Sequence, residues 1–328
     1  MKRLLLFVLL LTTGIAYSQA PTYPSSFTVA QDGSGNFKTI QEAIYAVRDL
    51  SQQQVTIFIK NGTYREKLVI PSWKTNITLK GESRDSTIIT YDDHAGKRLA
   101  VRDEFLKQDS IRTYTSYTVL IEGNDCRLEN LTVRNTAGRV GQAVALHVEG
   151  DRFSAFNCKL LGNQDTLYAA TQNSRQYYEN CFIEGTTDFI FGEATVVFVN
   201  CDIKSLTNSY ITAASTRPGQ LYGFVFIQCR LIADPAVTKV YLGRPWRPYS
   251  KTVYIETYMD KHIVKEGWNN WGNVANEQTV LYAEYNSSGA GANKEGRVKW
   301  AKQLSAKERK KYTAANILKG SDNWKPAQ

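Results

Sequence analysis

The chain has 328 residues, 42% of them hydrophobic, and a formal net charge of +9. That length allows one large domain or two ordinary ones, with ample chain for a core. Lysines and arginines do not cluster among aromatics, which argues against nucleic acid; the positive balance suits an acidic polymer outside the cytoplasm, or reflects solvated faces.

At the N-terminus, Lys2 and Arg3 precede an apolar run over residues 4–11, and small residues lead to Ala16-Tyr17-Ser18. A basic start, an apolar centre and an A-x-S site describe a secretory signal peptide over residues 1–18, cut near 18–20. The run is too short to span a bilayer. The expected mature protein is residues 19–328, a single domain exported to the periplasm or the medium and not held in a membrane. Loss of Lys2 and Arg3 lowers the formal charge from +9 to +7.

Residues 27–30 read as a strand and Asp32-Gly33-Ser34-Gly35 as a turn. Thr39-Ile40-Gln41-Glu42 has the form of a capping box that opens a short helix, with Ile40, Ala43, Ile44 and Val47 on one face. Short β-prone runs follow at 55–59, 77–79, 87–90, 118–121, 131–133, 144–148, 196–199, 224–227 and 252–255. They are too short and too close for β-α-β units. Residues 95–117 are charged and irregular, and read as a loop off one coil. Asp92-Asp93-His94 reads as a polar turn rather than a metal site. Ser305-Ala306-Lys307-Glu308 is a second capping box, and starts a basic helix expected to pack along the outside or the end.

Two stretches repeat one pattern at an offset of 23 residues. Asn157-Cys158, Gly162 and Asp165 lie over Asn180-Cys181, Gly185 and Asp188, followed by Tyr168 and Phe191. A period of this size, built from short strands, is the mark of stacked coils. A sandwich shares the run of short strands, but the repeat favours a parallel β-helix: an all-β solenoid closed by the N-terminal helix. Equivalent positions in neighbouring coils then stand one strand spacing apart, roughly 4.8 Å. Counting back 23 residues from Asp165 gives Gln142, so Gln142, Asp165 and Asp188 are expected in one column.

Five cysteines sit at 126, 158, 181, 201 and 229, four of them after Asn or Gln. No C-x-x-C pair suggests zinc. One thiol per coil suits a buried stack of small apolar groups. Adjacent coils also bring cysteines within disulfide range, and export permits oxidation; the odd number leaves at least one unpaired within the chain.

Two carboxylates a strand apart do not both ionise easily, which separates an acid from a base or nucleophile. The cation that decides between them is expected from Leu242-Gly243-Arg244-Pro245-Trp246-Arg247-Pro248, where prolines stiffen a loop presenting Arg244 and Trp246. Gln142 and Gln164 can donate to a developing oxyanion. Each aspartate alone reads equally well as a turn cap; the pair in one column with Gln142 does not. Tyr168 and Phe191 read as core or groove aromatics alike, Arg247 as a surface charge, and at least one of Trp268 and Trp271 as packing. Only three histidines are present, with no G-x-S-x-G, H-E-x-x-H or phosphate loop.

These residues resemble the pectin methylesterases, the pectinesterase family, over nearly the whole mature chain. The likeness is carried by residues 31–37, by Gly62-Thr63-Tyr64-Arg65-Glu66, by Gln142-Ala143-Val144-Ala145-Leu146 and by Gln164-Asp165-Thr166-Leu167-Tyr168. It continues through Asp188-Phe189-Ile190-Phe191-Gly192 and Leu242-Gly243-Arg244-Pro245-Trp246 to the stretch from Tyr312-Thr313 to Asn323-Trp324. The resemblance implies a right-handed parallel β-helix, of a bacterial exported type, that hydrolyses the methyl esters of galacturonate in pectin. It implies Asp188 as nucleophile, Asp165 as general acid and then base, and Gln142 and Gln164 as oxyanion donors. Arg244 then pairs with Asp188, and Trp246, Tyr168 and Phe191 line the sugar groove. No metal or organic cofactor is implied, and a capped solenoid suggests a monomer. Activation of water by Asp188 in place of direct attack stays open. So do a pectin-active lyase or polygalacturonase, a non-catalytic polysaccharide-binding solenoid, and an esterase for another ester.

Overall fold

The computed structural model describes residues 22–326; the expected signal segment, residues 1–18, lies outside the described residues. Among the described residues no helix is long and apolar enough to cross a membrane.

The chain is a right-handed parallel β-helix in which successive coils contribute strands to three long sheets of eleven, eight and seven strands. Two coils show the rotation. Phe153–Phe156 lies in the first sheet, Lys159–Leu161 in the second and Leu167–Ala169 in the third; Arg175–Glu179, Phe182–Gly185 and Ile190–Gly192 repeat the circuit directly alongside. All nine β-prone runs form strands. Alternate side chains point inward, so the core is a set of columns running along the axis. One of these is aromatic: ring centroids of Phe198 and Phe226 are 4.4 Å apart at 7°, and those of Phe226 and Tyr254 are 4.5 Å apart at 14°.

The Asn-Cys rungs have a backbone cause. Asn157, Asn180, Asn200 and Gln228 all hold positive φ, between 51° and 55°, at the corner from the first sheet to the second. Asparagine tolerates this left-handed region better than most side chains do. The turn swings the next residue inward, and a small apolar thiol fits that corner of the core. All five cysteines are buried and free, so the stacked-thiol alternative holds and no disulfide forms.

The N-terminal end of the solenoid is closed by a helix, and the C-terminal segment packs along its side. At the N-terminal end the helix Ile40–Ala46 buries Ile40, Ala43 and Ile44 over the first coil. Thr39 caps it by accepting from Glu42 N, but the expected return bond from Glu42 is replaced. The Glu66 carboxylate, two strands on, accepts from Ile40 N and Gln41 N. The Gln41 amide then pairs with both backbone groups of Val69, as another strand would.

At the C-terminal end the single expected helix is instead two short ones, Ala306–Arg309 and Ala314–Leu318. The capping box at Ser305 and Glu308 is present, yet the helix lasts one turn. The second helix lays Ile317 and Leu318 against the outside of the first sheet. Arg175 ties this segment down through Asp322 and Asp151, each at 2.6 Å.

Residues 95–117 also differ from expectation. They are not irregular: Arg98–Asp103 and Gln108–Ser110 form an antiparallel hairpin, followed by a 3-10 turn at Thr113–Thr115. Asp92 and Asp93 are held by Arg65, Lys67 and Lys97 at its base.

Beneath the last coils, Arg297 and Glu284 form a bidentate ion pair at 2.7 and 3.0 Å, with side chains only 3% and 4% exposed. Arg297 also donates to the carbonyls of Val264, Lys265 and Gly291, which joins the terminal loops to the stack. Removing one partner leaves a buried unpaired charge, which costs about 3–5 kcal/mol. Glu284→Ala is therefore expected to lower the urea midpoint of unfolding by an amount in that range; a change no larger than that of a surface substitution would refute the role assigned to the pair.

Candidate active site

The third sheet carries the catalytic candidates on its outer side and at the turns that lead into it. Gly162 and Gly185 open the two turns. A Cβ on Gly185 would lie 2.2 Å from Phe189 Cβ, and one on Gly162 would lie 2.6 Å from Thr166 Oγ1. Each close turn ends on an aspartate in the left-handed region, Asp165 at φ 65° and Asp188 at φ 50°. The left-handed backbone costs about 1 kcal/mol at each position, as it does at the corner asparagines, and here it ends each turn on a carboxylate at the same place in adjacent coils. The register Leu167 over Ile190 places the two aspartates side by side.

Gln142 is not in that column. The backbone pairs Gln142 with Gln164, and Leu146 with Leu167, so the coil before Asp165 is 21–22 residues long and not 23. The result is two adjacent pairs, amide beside amide and carboxylate beside carboxylate. All four residues line one cavity of about 400 Å3. Neither glutamine amide has a hydrogen-bond partner among the described residues, and both line the cavity, free to serve a ligand.

Arg244 reaches this cavity from two strands further along the sheet. It follows Tyr241–Gly243, its N–H donates to the Thr212 carbonyl, and Gly243 is needed because a Cβ there would lie 2.0 Å from Thr212 Oγ1. Its Nε and Nη2 donate to the two oxygens of Asp188 at 3.0 and 2.7 Å. The guanidinium lies between the rings of Tyr210 and Trp271, with its carbon 4.0 and 3.7 Å from their centroids.

Burial and this single cation decide the charges. Both carboxyls are nearly out of solvent, 7% exposed for Asp165 and 6% for Asp188. Burial raises Asp165 well above the ordinary carboxylate range, the charge of Asp188 adds to the rise, and Arg244 offsets only part of it. Burial also raises Asp188, but the Arg244 hydrogen bonds and charge pull it back. The pair therefore loses its first proton from Asp188, while Asp165 keeps its own.

The aromatics separate into two groups. Phe191 and Trp246 line the cavity, with their rings edge to face at 5.9 Å. Tyr168 stands one coil back, stacked on Phe191 at 4.5 Å and 9°, and continues the same row outward. Arg247 is a surface charge, exposed, with its guanidinium over the Trp246 ring at 4.8 Å. Trp268 is core at 1% exposure, whereas Trp271 is 38% exposed and lines the cavity. The sequence reading missed Tyr210, Tyr114 and Arg112. Tyr114 and Arg112 come from the hairpin excursion and carry no periodicity; Tyr210 stands beside Asp188 one coil on, where its carbonyl accepts from Asp188 N at 2.9 Å, a placement set by the strand register.

Residues 26–321 match the family described as pectinesterase. Among similar proteins, pectinesterase 31 of Arabidopsis thaliana is 37% identical over 278 residues, 84% of this chain and 86% of that protein. Pectinesterase 4 of the same plant is 39% identical over 92% of this chain, which spans only 51% of that longer relative. Among solved structures, pectin methylesterase from carrot superposes with a TM-score of 0.83 at 36% identity, covering 93% of this chain and 96% of that one. Pectin methylesterase PemA from Erwinia chrysanthemi gives 0.78 at 31%, covering 94% and 99%. A pectin methylesterase in complex with a hexasaccharide gives 0.78 at 32%, covering 94% and 100%. The chain belongs to the pectinesterase family.

Proposed function

We propose that this protein hydrolyses the methyl esters of galacturonate residues in pectin, giving pectate and methanol, with Asp188 as nucleophile and Asp165 as acid and then base. The observation that supports it most is the unequal carboxylate pair, one oxygen-to-nitrogen clamped by Arg244 and the other buried without a cation of its own. The ionised Asp188 attacks the ester carbonyl. Charge develops on the carbonyl oxygen, where the unpaired amides of Gln142 and Gln164 donate. The tetrahedral species collapses by breaking the bond to methoxide, a poor leaving group, as Asp165 hands it a proton. The anhydride left on Asp188 is more reactive than the ester. Water attacks it while Asp165, now a carboxylate, takes the water proton; the acyl–oxygen bond breaks and both aspartates return to their starting states. No step draws on a metal or an organic cofactor.

Trp246 and Phe191 offer faces to the sugar, and Tyr168 extends that row. A hexasaccharide bound to a similar pectin methylesterase is consistent with a polymer lying along it. We also assign the chain to the exported type, secreted through residues 1–18 to the periplasm or the medium as a monomer, on the grounds of the N-terminal composition and the helix that caps the first coil of the solenoid.

The assignment is tested by methanol release from highly methylated pectin. Wild type should release methanol with or without EDTA, and Asp188→Asn should lose about 10³-fold or more in kcat. No methanol from folded wild type would overturn it. Gln142→Ala and Gln164→Ala should each cost about 10²–10³ in kcat with a smaller change in KM, because the donors act on charge that exists only in the transition state.

Asp165 also makes a stability prediction. Its folded value lies above the unfolded one, so the folded state holds the proton longer. Wild-type stability then falls as pH rises from the ordinary carboxylate range, about 4, to the raised value, and levels off above it. Asp165→Asn removes that penalty. It should be inactive yet more resistant to urea than wild type, with a margin that widens across this pH window; a margin independent of pH would contradict the assignment of the proton to Asp165.

A further inference from the structure

The positive charge of the protein is gathered in one place, away from the reaction centre. Residues 302–325 contain seven lysines and arginines and two carboxylates, a net +5, against a formal +7 for the expected mature chain. This segment packs Leu304, Tyr312, Ile317 and Leu318 on the outside of the first sheet, whereas the catalytic candidates stand on the third. Both of its carboxylates are already engaged. Glu308 caps Ser305 and pairs with Lys302, and Asp322 is held by Arg175 and Arg152. Arg309 pairs with Glu256. Lys307, Lys310, Lys311, Lys319 and Lys325 are left exposed, with no carboxylate within ion-pair distance among the described residues. Their backbone is pinned to the stack: Arg175 Nη1 donates to the Leu318 carbonyl at 3.0 Å, and Tyr222 Oη to the Lys311 carbonyl at 3.2 Å. Lys307, Lys310 and Lys311 follow at i, i+3 and i+4 on the one-turn helix and the turn that continues it. That spacing makes neighbours of like charges, roughly 5–6 Å apart at Cβ, which repel one another. Folding alone does not favour such a row; an anionic ligand does.

We propose that this lysine face is a second binding site, remote from the catalytic groove, for polygalacturonate, the demethylated polymer. This rests on the pectin reading above and gives the enzyme a hold on its own product. Each turnover converts a neutral ester into a carboxylate, so the polymer gains one negative charge per sugar wherever the enzyme has worked. A row of free lysines on a fixed backbone is complementary to that row of charges. Other polyanionic surfaces fit less well. Tyr312 is buried and one face of Trp324 is covered by the Arg175 guanidinium, so the segment offers no open aromatic platform for bases. Its large apolar side chains face the sheet, which leaves none to enter a lipid surface. The two sites lie on different sheets. A polymer held by the lysines therefore keeps the enzyme close while the groove takes esters from another stretch or another chain.

The test compares wild type with two variants of equal net charge. The first carries Lys307→Gln, Lys310→Gln, Lys311→Gln and Lys319→Gln. The second carries Lys38→Gln, Lys239→Gln, Lys261→Gln and Lys265→Gln, all exposed lysines elsewhere on the surface. On immobilised polygalacturonate the first variant should bind about tenfold more weakly than wild type, and the second within about twofold of it. Salt should abolish the difference as the screening length falls from about 10 Å at 0.1 M to about 3 Å at 1 M. Both variants should keep the wild-type kcat/KM on a short, fully methylated oligogalacturonate, which checks that the fold and the groove are intact. On long, partly demethylated pectin only the first should show a raised KM, with kcat unmoved. Equal weakening in the two variants, or none in the first, overturns the site. A first variant that loses affinity for duplex DNA or phosphatidylserine vesicles but not for polygalacturonate overturns the occupant. No methanol from folded wild type overturns the pectin reading, while the binding comparison decides the lysine face separately.

Discussion

The bidentate contact between Arg244 and Asp188 sets the chemistry of the whole site. Two buried carboxyls at neighbouring rungs of a solenoid would otherwise be near equals and share one proton between them. The guanidinium breaks that symmetry at one carboxyl only. It does so from between Tyr210 and Trp271, against a carboxyl nearly out of solvent, where the field of a cation is screened less than in bulk water. In the proposed mechanism one aspartate serves as nucleophile and its neighbour as acid, although the two begin from the same side chain at the same place in the repeat.

The solenoid supplies the geometry that this division of roles needs. Residues in register on parallel strands keep a fixed spacing without any dedicated loop, and a capped, continuously packed stack holds that spacing. Stability is sacrificed locally to obtain it. Both aspartates occupy left-handed backbone, both are raised by burial, and two glutamine amides face the cavity without partners. The columns of aromatics and thiols beneath them, and the buried Arg297–Glu284 pair at the end of the stack, lie in the part of the structure that makes such local cost tolerable.

Much of this was legible in the residues. The repeat from Asn157 to Asp188 revealed the coils, the thiol column and the pairing of the two aspartates, because that coil does span 23 residues. The same count failed one coil earlier, where Leu146 faces Leu167, since solenoid coils differ in length wherever a turn gains or loses a residue. Gln142 was thus found as a participant but set in the wrong column. Tyr210 has no motif of its own and is defined by strand order. Arg112 and Tyr114 belong to an excursion whose hairpin register arises from an antiparallel pair, invisible to a search for parallel repeats. At the N-terminal helix, a local capping signal was read correctly at Thr39, whereas the decisive carboxylate, Glu66, lies 26 residues away and is brought there by the fold.

The central claim is that Asp165 holds the proton and Asp188 does not. Infrared spectroscopy of the protonated-carboxyl C=O stretch tests it directly, with difference spectra taken at the pH of maximal activity. The account predicts a band that disappears in Asp165→Asn, survives in Asp188→Asn, and shifts or divides between the two sites when Arg244 is replaced by glutamine. A band that vanishes in Asp188→Asn and survives in Asp165→Asn would contradict it, and would exchange the roles of the two aspartates.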